Sequence, residues 1–217
     1  MRKAYRRLAG RWAWNVLSFA GFQGAEARIR RRAVARLELQ PGDAVLDVAC
    51  GRGSNFPYLQ RAVGQQGRVV GVDYSPDMLA GAAEVVRRRG WGNVELVEGD
   101  AAEISYRGEF DAALCTIAMS VIPRWREALR RMVEAVRPGG GVVVMDGRLG
   151  TGWRRVGNAY ARLFGRVVVA DLGRDIPGEF RRLLPHAAEE TMLFGTYFVI
   201  SAATPAKDED RHVQSSR

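Results

Sequence analysis

The stretch Val45-Leu46-Asp47-Val48-Ala49-Cys50-Gly51-Arg52-Gly53-Ser54-Asn55 joins an acid inside an apolar run to two closely spaced glycines, just where a strand pattern gives way to a helix pattern. Glycine at such a turn lets a ligand approach the backbone, because no Cβ stands in the way. A tight strand-to-helix turn asks for the same residues, so the Gly-x-Gly by itself leaves both readings open. Asp73 closes the next apolar run, 20 residues beyond Gly53, at the spacing of a carboxylate that accepts both hydroxyls of an adenosine ribose. The two features together point to a nucleoside-containing cofactor. A nicotinamide fingerprint would need a third glycine, and that place is Phe56 counted from Gly51, or Ser54 counted from Ala49. Asp47, two residues before the turn, suits a cationic group or the loop amides and would repel a pyrophosphate.

Residues so placed need a scaffold of strands and crossovers. Five β-branched runs, Ala44–Val48, Arg68–Asp73, Val94–Val97, Phe110–Cys115 and Gly141–Asp146, are spaced widely enough for helices between them. Ser75 and Pro76 form a helix start, and Gly90 follows Arg89 where a left-handed stop is wanted. A second helix is expected over Arg124–Val136, stopped by the turn Arg137-Pro138-Gly139-Gly140. Ala188–Leu193 and Thr196–Ala202 lie at hairpin spacing. The expectation is an α/β doubly wound, Rossmann-like sheet of about seven strands, mostly parallel, with an antiparallel C-terminal edge hairpin.

With 217 residues, 47% of them hydrophobic and 26% charged, the chain has the makeup of one globular domain with decoration. Two cysteines, Cys50 and Cys115, make neither a disulfide framework nor a zinc site and suit a reduced, cytoplasmic setting. The net charge of +9 is not spread over the sequence. Residues 1–37 carry ten basic side chains against the single acid Glu26, and the rest balances. That describes a neutral domain with a basic arm, a pattern unlike a general nucleic-acid binder. No apolar run reaches the 18 or so residues of a membrane span. Asn15 and Ser18 interrupt the early apolar stretch, and no small-residue cleavage site follows it, which argues against a signal peptide.

The string Asp47-x-Ala49-x-Gly51-x-Gly53 resembles motif I of the class I S-adenosylmethionine-dependent methyltransferases. Val70-Gly71-Val72-Asp73-Tyr74-Ser75, Glu98-Gly99-Asp100-Ala101, Phe110-Asp111-Ala112 and Val136-Arg137-Pro138-Gly139-Gly140 resemble their later motifs in order, over about residues 40–148. Ala49 departs from the usual glycine, and a slightly shifted loop is expected there. The resemblance implies S-adenosylmethionine as cofactor; no metal is expected. By that likeness Asp47 lies near the methionine amino end with Gly51 and Gly53 beneath it, Asp73 holds the ribose, Tyr74 and Met78 flank the adenine, Asp100 and Ala101 sit by its amino group, and Thr116 faces the methionine part. Asp100 as a helix cap and Met78 as plain core are the competing readings. A sulfonium and an ammonium beside one carboxylate suit a site of aspartates without flanking lysine. Methyl transfer needs alignment and exclusion of water, so no catalytic triad is required and none is evident.

For the acceptor, Thr116-Ile117-Ala118-Met119-Ser120 lacks the motifs of nucleobase methylators, and nucleic acid is not the expected partner. Tyr5, Leu8, Trp12, Val16 and Phe19 form an apolar helical stripe with arginines off it, fitting a lid over the cofactor or peripheral contact with an inner membrane surface through residues 1–37. Residues 38–203 then form the catalytic domain, in which 151–177, with Trp153, Tyr160 and Phe164, is an acceptor-side insertion, and 204–217 is a disordered tail. The likeness extends loosely to the branch of ubiquinone/menaquinone-biosynthesis and phosphatidylethanolamine N-methyltransferases. A small, hydrophobic or lipid-like acceptor is therefore expected, a phospholipid amine headgroup or a quinone precursor. Asp146, Tyr197 and His186 are the candidate bases. A non-catalytic cofactor-binding regulator and an NAD(P)-dependent oxidoreductase are the rival readings.

Overall fold

The computed structural model describes residues 22–149 and 170–206. The chain runs α1 (Phe22–Ala35), β1 (Ala44–Val48), α2 (Phe56–Val63), β2 (Arg68–Asp73), α3 (Pro76–Arg89), β3 (Val94–Glu98), β4 (Phe110–Thr116), α4 (Trp125–Glu134), β5 (Val136–Gly147), α5 (Ile176–Leu183), β6 (Ala188–Met192) and β7 (Tyr197–Ala203). The strands form one seven-stranded sheet in the order β3-β2-β1-β4-β5-β7-β6. The first five are parallel, and β7 runs against both β5 and β6. The reversed strand is thus second from the edge, and β6 at the edge is again aligned with the rest.

The inner strands are apolar on both sides because helices cover both faces. On one face Val45, Val69, Leu114 and Val143 meet α1, α2 and α3 through Ile29, Ala33, Phe56, Leu59 and Ala82. On the other, Leu46, Val70, Ala113 and Val144 meet α4 and α5 through Leu129, Met132, Ile176 and Phe180. Local signals set the helix ends. Ser75 Oγ accepts from the Met78 amide at 3.4 Å, and Gly90 ends α3 in the left-handed region at φ 66°. Asp175 Oδ1 accepts from the Gly178 amide at 2.9 Å and caps α5.

Four features differ from the sequence expectation. The helix expected over Arg124–Val136 ends at Glu134, because Val136 already pairs with Phe110. The Arg137–Gly140 turn becomes an irregularity inside a longer β5, where a Cβ on Gly140 would lie 2.4 Å from the Asp111 carbonyl oxygen. Charge alone sets residues 1–37 apart, yet Ile29, Ala33, Val34 and Leu37 are buried in the domain core. At the other end Thr204, expected to begin the tail, is buried. Its amide donates to the Gly140 carbonyl at 2.8 Å and its hydroxyl to the Arg137 carbonyl at 2.6 Å. The stripe from Tyr5 to Phe19, the aromatic residues Trp153, Tyr160 and Phe164, and residues 207–217 lie outside the described residues.

Candidate functional site

In the sheet order, β1 lies between β2 and β4, so the chain winds outward in opposite directions from that pair. Such a switch point opens a crevice at the carboxyl ends of its two strands. Asp47 and Thr116 sit there, one near the end of each strand, and both are buried. Asn55, the residue before α2, joins them. Its Nδ2 donates to Asp47 Oδ1 and Oδ2 at 3.0 and 3.1 Å and to Thr116 Oγ1 at 2.9 Å. Arg30 arrives from α1 and donates through Nη1 to Asn55 Oδ1 at 3.0 Å and to Thr116 Oγ1 at 2.5 Å. Its Nε and Nη2 hold Glu26 Oε1 at 2.8 and 2.7 Å. Burial pushes the Asp47 carboxyl up from 3.8 to about 7; the Asn55 bond and the Arg30 charge pull it down, and Asp73 adds to the rise.

The second cluster ties the ends of β1 and β2 together. Asp73 Oδ2 accepts from the Gly51 amide at 2.8 Å and Oδ1 from the Ser75 amide at 2.9 Å. Burial raises its pKa, while the bonds from the Ser75, Gly51 and Tyr74 amides oppose the rise. A carboxylate has about four lone-pair positions, so with these three amides Asp73 keeps acceptor capacity for one more donor. The Gly99 amide donates to the Asp73 carbonyl at 3.0 Å and brings the turn after β3 alongside. There Asp100 Oδ1 accepts from the Ala102 amide at 2.8 Å and Oδ2 from Arg124 at 3.1 Å. Asp100 closes a turn, and no helix begins at that place. Ala101 is buried beside it. Tyr74 is 52% exposed after β2, and Met78 is half-buried in the first turn of α3.

The two glycines of the turn differ in role. Gly51 has φ 57°, and a Cβ there would meet no heavy atom within 4 Å, so the space above it is open. Gly53 has φ 76°, and a Cβ there would lie 2.5 Å from the Phe56 ring. Gly53 lets Phe56 pack; Gly51 leaves a cradle. Ala49 takes a left-handed conformation, with φ 55°. Asp111, from the later motifs, lies at the opposite pole, accepting from the Ala44 amide at 2.7 Å and from Arg137 at 2.6 Å.

The candidate bases are not gathered into this cluster. Asp146 is buried and accepts from the Ser120 amide at 2.9 Å, the Ser120 hydroxyl at 2.8 Å and the Gly147 amide at 2.7 Å, which fastens the loop after β4 to β5. Tyr197 is buried at the start of β7, and His186 is exposed after α5. Cys50 and Cys115 are buried, and burial pushes both thiols well up, away from the thiolate.

Residues 45–140 match the family model described as a methyltransferase domain. The chain is 32% identical over 136 residues to a demethylmenaquinone methyltransferase of Listeria welshimeri, covering 61% of this chain and 58% of that protein. The fold is shared with a SAM-dependent methyltransferase of Aquifex aeolicus, at 18% identity, TM-score 0.58 and coverage of 80% and 88%. It is also shared with phosphoethanolamine N-methyltransferase 2 of Haemonchus contortus, solved with phosphomonomethylethanolamine and S-adenosylhomocysteine, at 17% identity, TM-score 0.69 and coverage of 82% and 52%. Residues 45–140 are thus similar to the methyltransferase domain family, and the fold is the one that solved S-adenosylmethionine-dependent methyltransferases share. The chain spans less than three fifths of the length of the curated relatives it matches.

The site fits this family's cofactor on its own terms. The open space at Gly51 admits a ligand to the backbone, Asp73 has acceptor capacity left, and one buried anion and one buried cation flank Asn55. Among the described residues no group of acids, histidines and cysteines could hold a metal ion, and no helix is long and apolar enough to cross a membrane. Arg30 and Asn55 escape a reading by motif. Arg30 had a signal: on a helix it shares a face with Ala33, Val34 and Leu37.

Proposed function

We propose that this chain transfers a methyl group from S-adenosylmethionine to a small apolar acceptor, a quinone precursor. The observation that carries the cofactor half is the Gly51–Asp73 pairing beside the Asp47–Asn55–Thr116 cluster at the sheet's switch point. The donor supplies a methyl group activated on a sulfonium sulfur. The work of the chain is to bind, orient and dry the reacting groups. Asp73 takes the ribose hydroxyls, Tyr74 and Met78 flank the adenine, and Asp100 with Ala101 lies at its amino group. Asp47 and Thr116 receive the amino-acid part, while Gly51 leaves room above the turn and Gly53 keeps that turn tight. The likeness to demethylmenaquinone methyltransferases supports the quinone class over a phosphorylated amine, for which the neighbour is alike in fold alone.

The arginine-rich residues 1–20, with their apolar stripe, favour an acceptor presented at an anionic membrane surface. The test supplies labelled S-adenosylmethionine to the full chain with a demethylated quinol in detergent or with phosphoethanolamine. Label is expected in the organic phase with the quinol. Label on the amine alone would reassign the acceptor, and S-adenosylmethionine left intact beside bound NAD would overturn the transferase reading. Deleting residues 1–20 is expected to reduce sedimentation with anionic vesicles.

A further inference from the structure

Arg30 is 9% exposed and the one buried basic side chain among the described residues. A buried guanidinium without an anion carries a large desolvation penalty, so it needs a carboxylate partner. That partner is Glu26, one turn back on the same helix, and both Nε and Nη2 converge on its single oxygen Oε1. The Glu26 side chain is itself 26% exposed and can turn to water. The opposite edge of the guanidinium is fixed: Nη1 is held by Asn55 and Thr116, on the crevice floor. The Asn55 amide in turn holds both Asp47 oxygens. One amide therefore separates a buried cation from a buried anion.

That spacing complements a zwitterion. We propose that Arg30 is the group that receives the carboxylate of the donor's amino-acid end, with Glu26 as the exchangeable partner it releases. The inference rests on the cofactor assignment above. Exchange of one carboxylate for another keeps the guanidinium paired throughout, and the planar fork of arginine suits a carboxylate. Asp47 is left to the ammonium.

The test compares two ligands by calorimetry. S-Adenosylhomocysteine has the amino-acid end, and 5′-methylthioadenosine lacks it while keeping adenosine and sulfur. Arg30→Met is expected to weaken S-adenosylhomocysteine about 10- to 100-fold and 5′-methylthioadenosine by less than about threefold, as for loss of a hydrogen bond to a charged group. Glu26→Gln, which removes the competing charge, is expected to tighten S-adenosylhomocysteine severalfold and leave 5′-methylthioadenosine unchanged. Equal losses for both ligands in Arg30→Met, or no loss for either, would overturn the proposal, as would a Glu26→Gln effect that is the same for both. If the unaltered protein binds neither ligand, the cofactor assignment itself fails.

Discussion

Ala49 and Ile117 share one backbone conformation: each is the first residue beyond a strand, β1 or β4, and each has φ 55°. The two strands are neighbours, so a left-handed turn stands on each side of the crevice. For a residue with a Cβ this costs roughly 1–2 kcal/mol, and a β-branched side chain such as Ile117 is rarer there still. The Ile117 amide, donating to the Met145 carbonyl at 2.7 Å, holds its turn in place.

Replacing Ala49 by glycine therefore removes strain while adding chain entropy to the unfolded state, an offset of about 0.5–1 kcal/mol. Ala49→Gly is expected to raise the urea midpoint slightly, by about 0.5 kcal/mol in stability. Ala49→Val is expected to lower it. A midpoint raised by valine would contradict the strain assignment.

Asp73 joins the turn after β1 to the end of β2 and retains acceptor capacity for a hydroxyl donor. Asp73→Ala is expected to weaken S-adenosylhomocysteine by more than about tenfold, since hydrogen bonds to a charged group contribute roughly 1.5–3 kcal/mol. Adenosine should be weakened similarly, because the loss falls on the ribose. Calorimetric affinities equal to those of the unaltered protein would remove Asp73 from the site.

Asp47 gives a pH signature. Its folded pKa of about 7 lies above the ordinary 3.8, so the folded state holds the proton more tightly than the unfolded state. Without ligand, its contribution to stability is greatest below about pH 4 and falls as pH rises toward 7. Ligand affinity has the opposite sign. A ligand ammonium prefers the carboxylate, so S-adenosylhomocysteine should bind more tightly from pH 6 to pH 8, with release of a proton visible in buffers of different ionisation enthalpy. Arg30, Asp73 and Cys50 surround the group. Asp47→Asn should flatten the profile.

Gly71 lies in β2 under the Phe56 ring, where an added Cβ would be 2.7 Å from Phe56 Cζ and 2.9 Å from Cys50 Sγ. Gly71→Ala is expected to destabilise the fold by about 1–3 kcal/mol through overpacking. Phe56→Leu in the same chain should recover part of that loss in denaturant unfolding, a coupling that independent sites would not show.

The strand and helix pattern is legible in the sequence because each parallel strand is a short β-branched run and the α3 ends carry their own punctuation, Ser75, Pro76 and Gly90. The turn before β5 is less legible. Pro138 and two glycines mark a break, but only the pairing of Val136 with Phe110 shows the strand continuing through it. Within the site, Asp47 and Gly51 stand out by motif, whereas Asn55 acquires meaning from a neighbour 61 positions away, Thr116. Arg30 is masked by the charge of its surroundings. In Arg28-Ile29-Arg30-Arg31-Arg32 a count of basic residues cannot tell which one turns inward, and it takes Ala33, Val34 and Leu37 on the same face to single it out. The two glycines of motif I look alike in sequence and separate only when Phe56 is seen against one of them.

Thr204 clasps the beginning of β5 because β7 travels the other way and finishes where its neighbours start. The last described residues, up to Ala206, thereby leave the sheet at the pole remote from the crevice. An affinity handle or reporter domain appended behind them would sit clear of arriving ligands, making that end the natural point for immobilising the protein in surface-based assays.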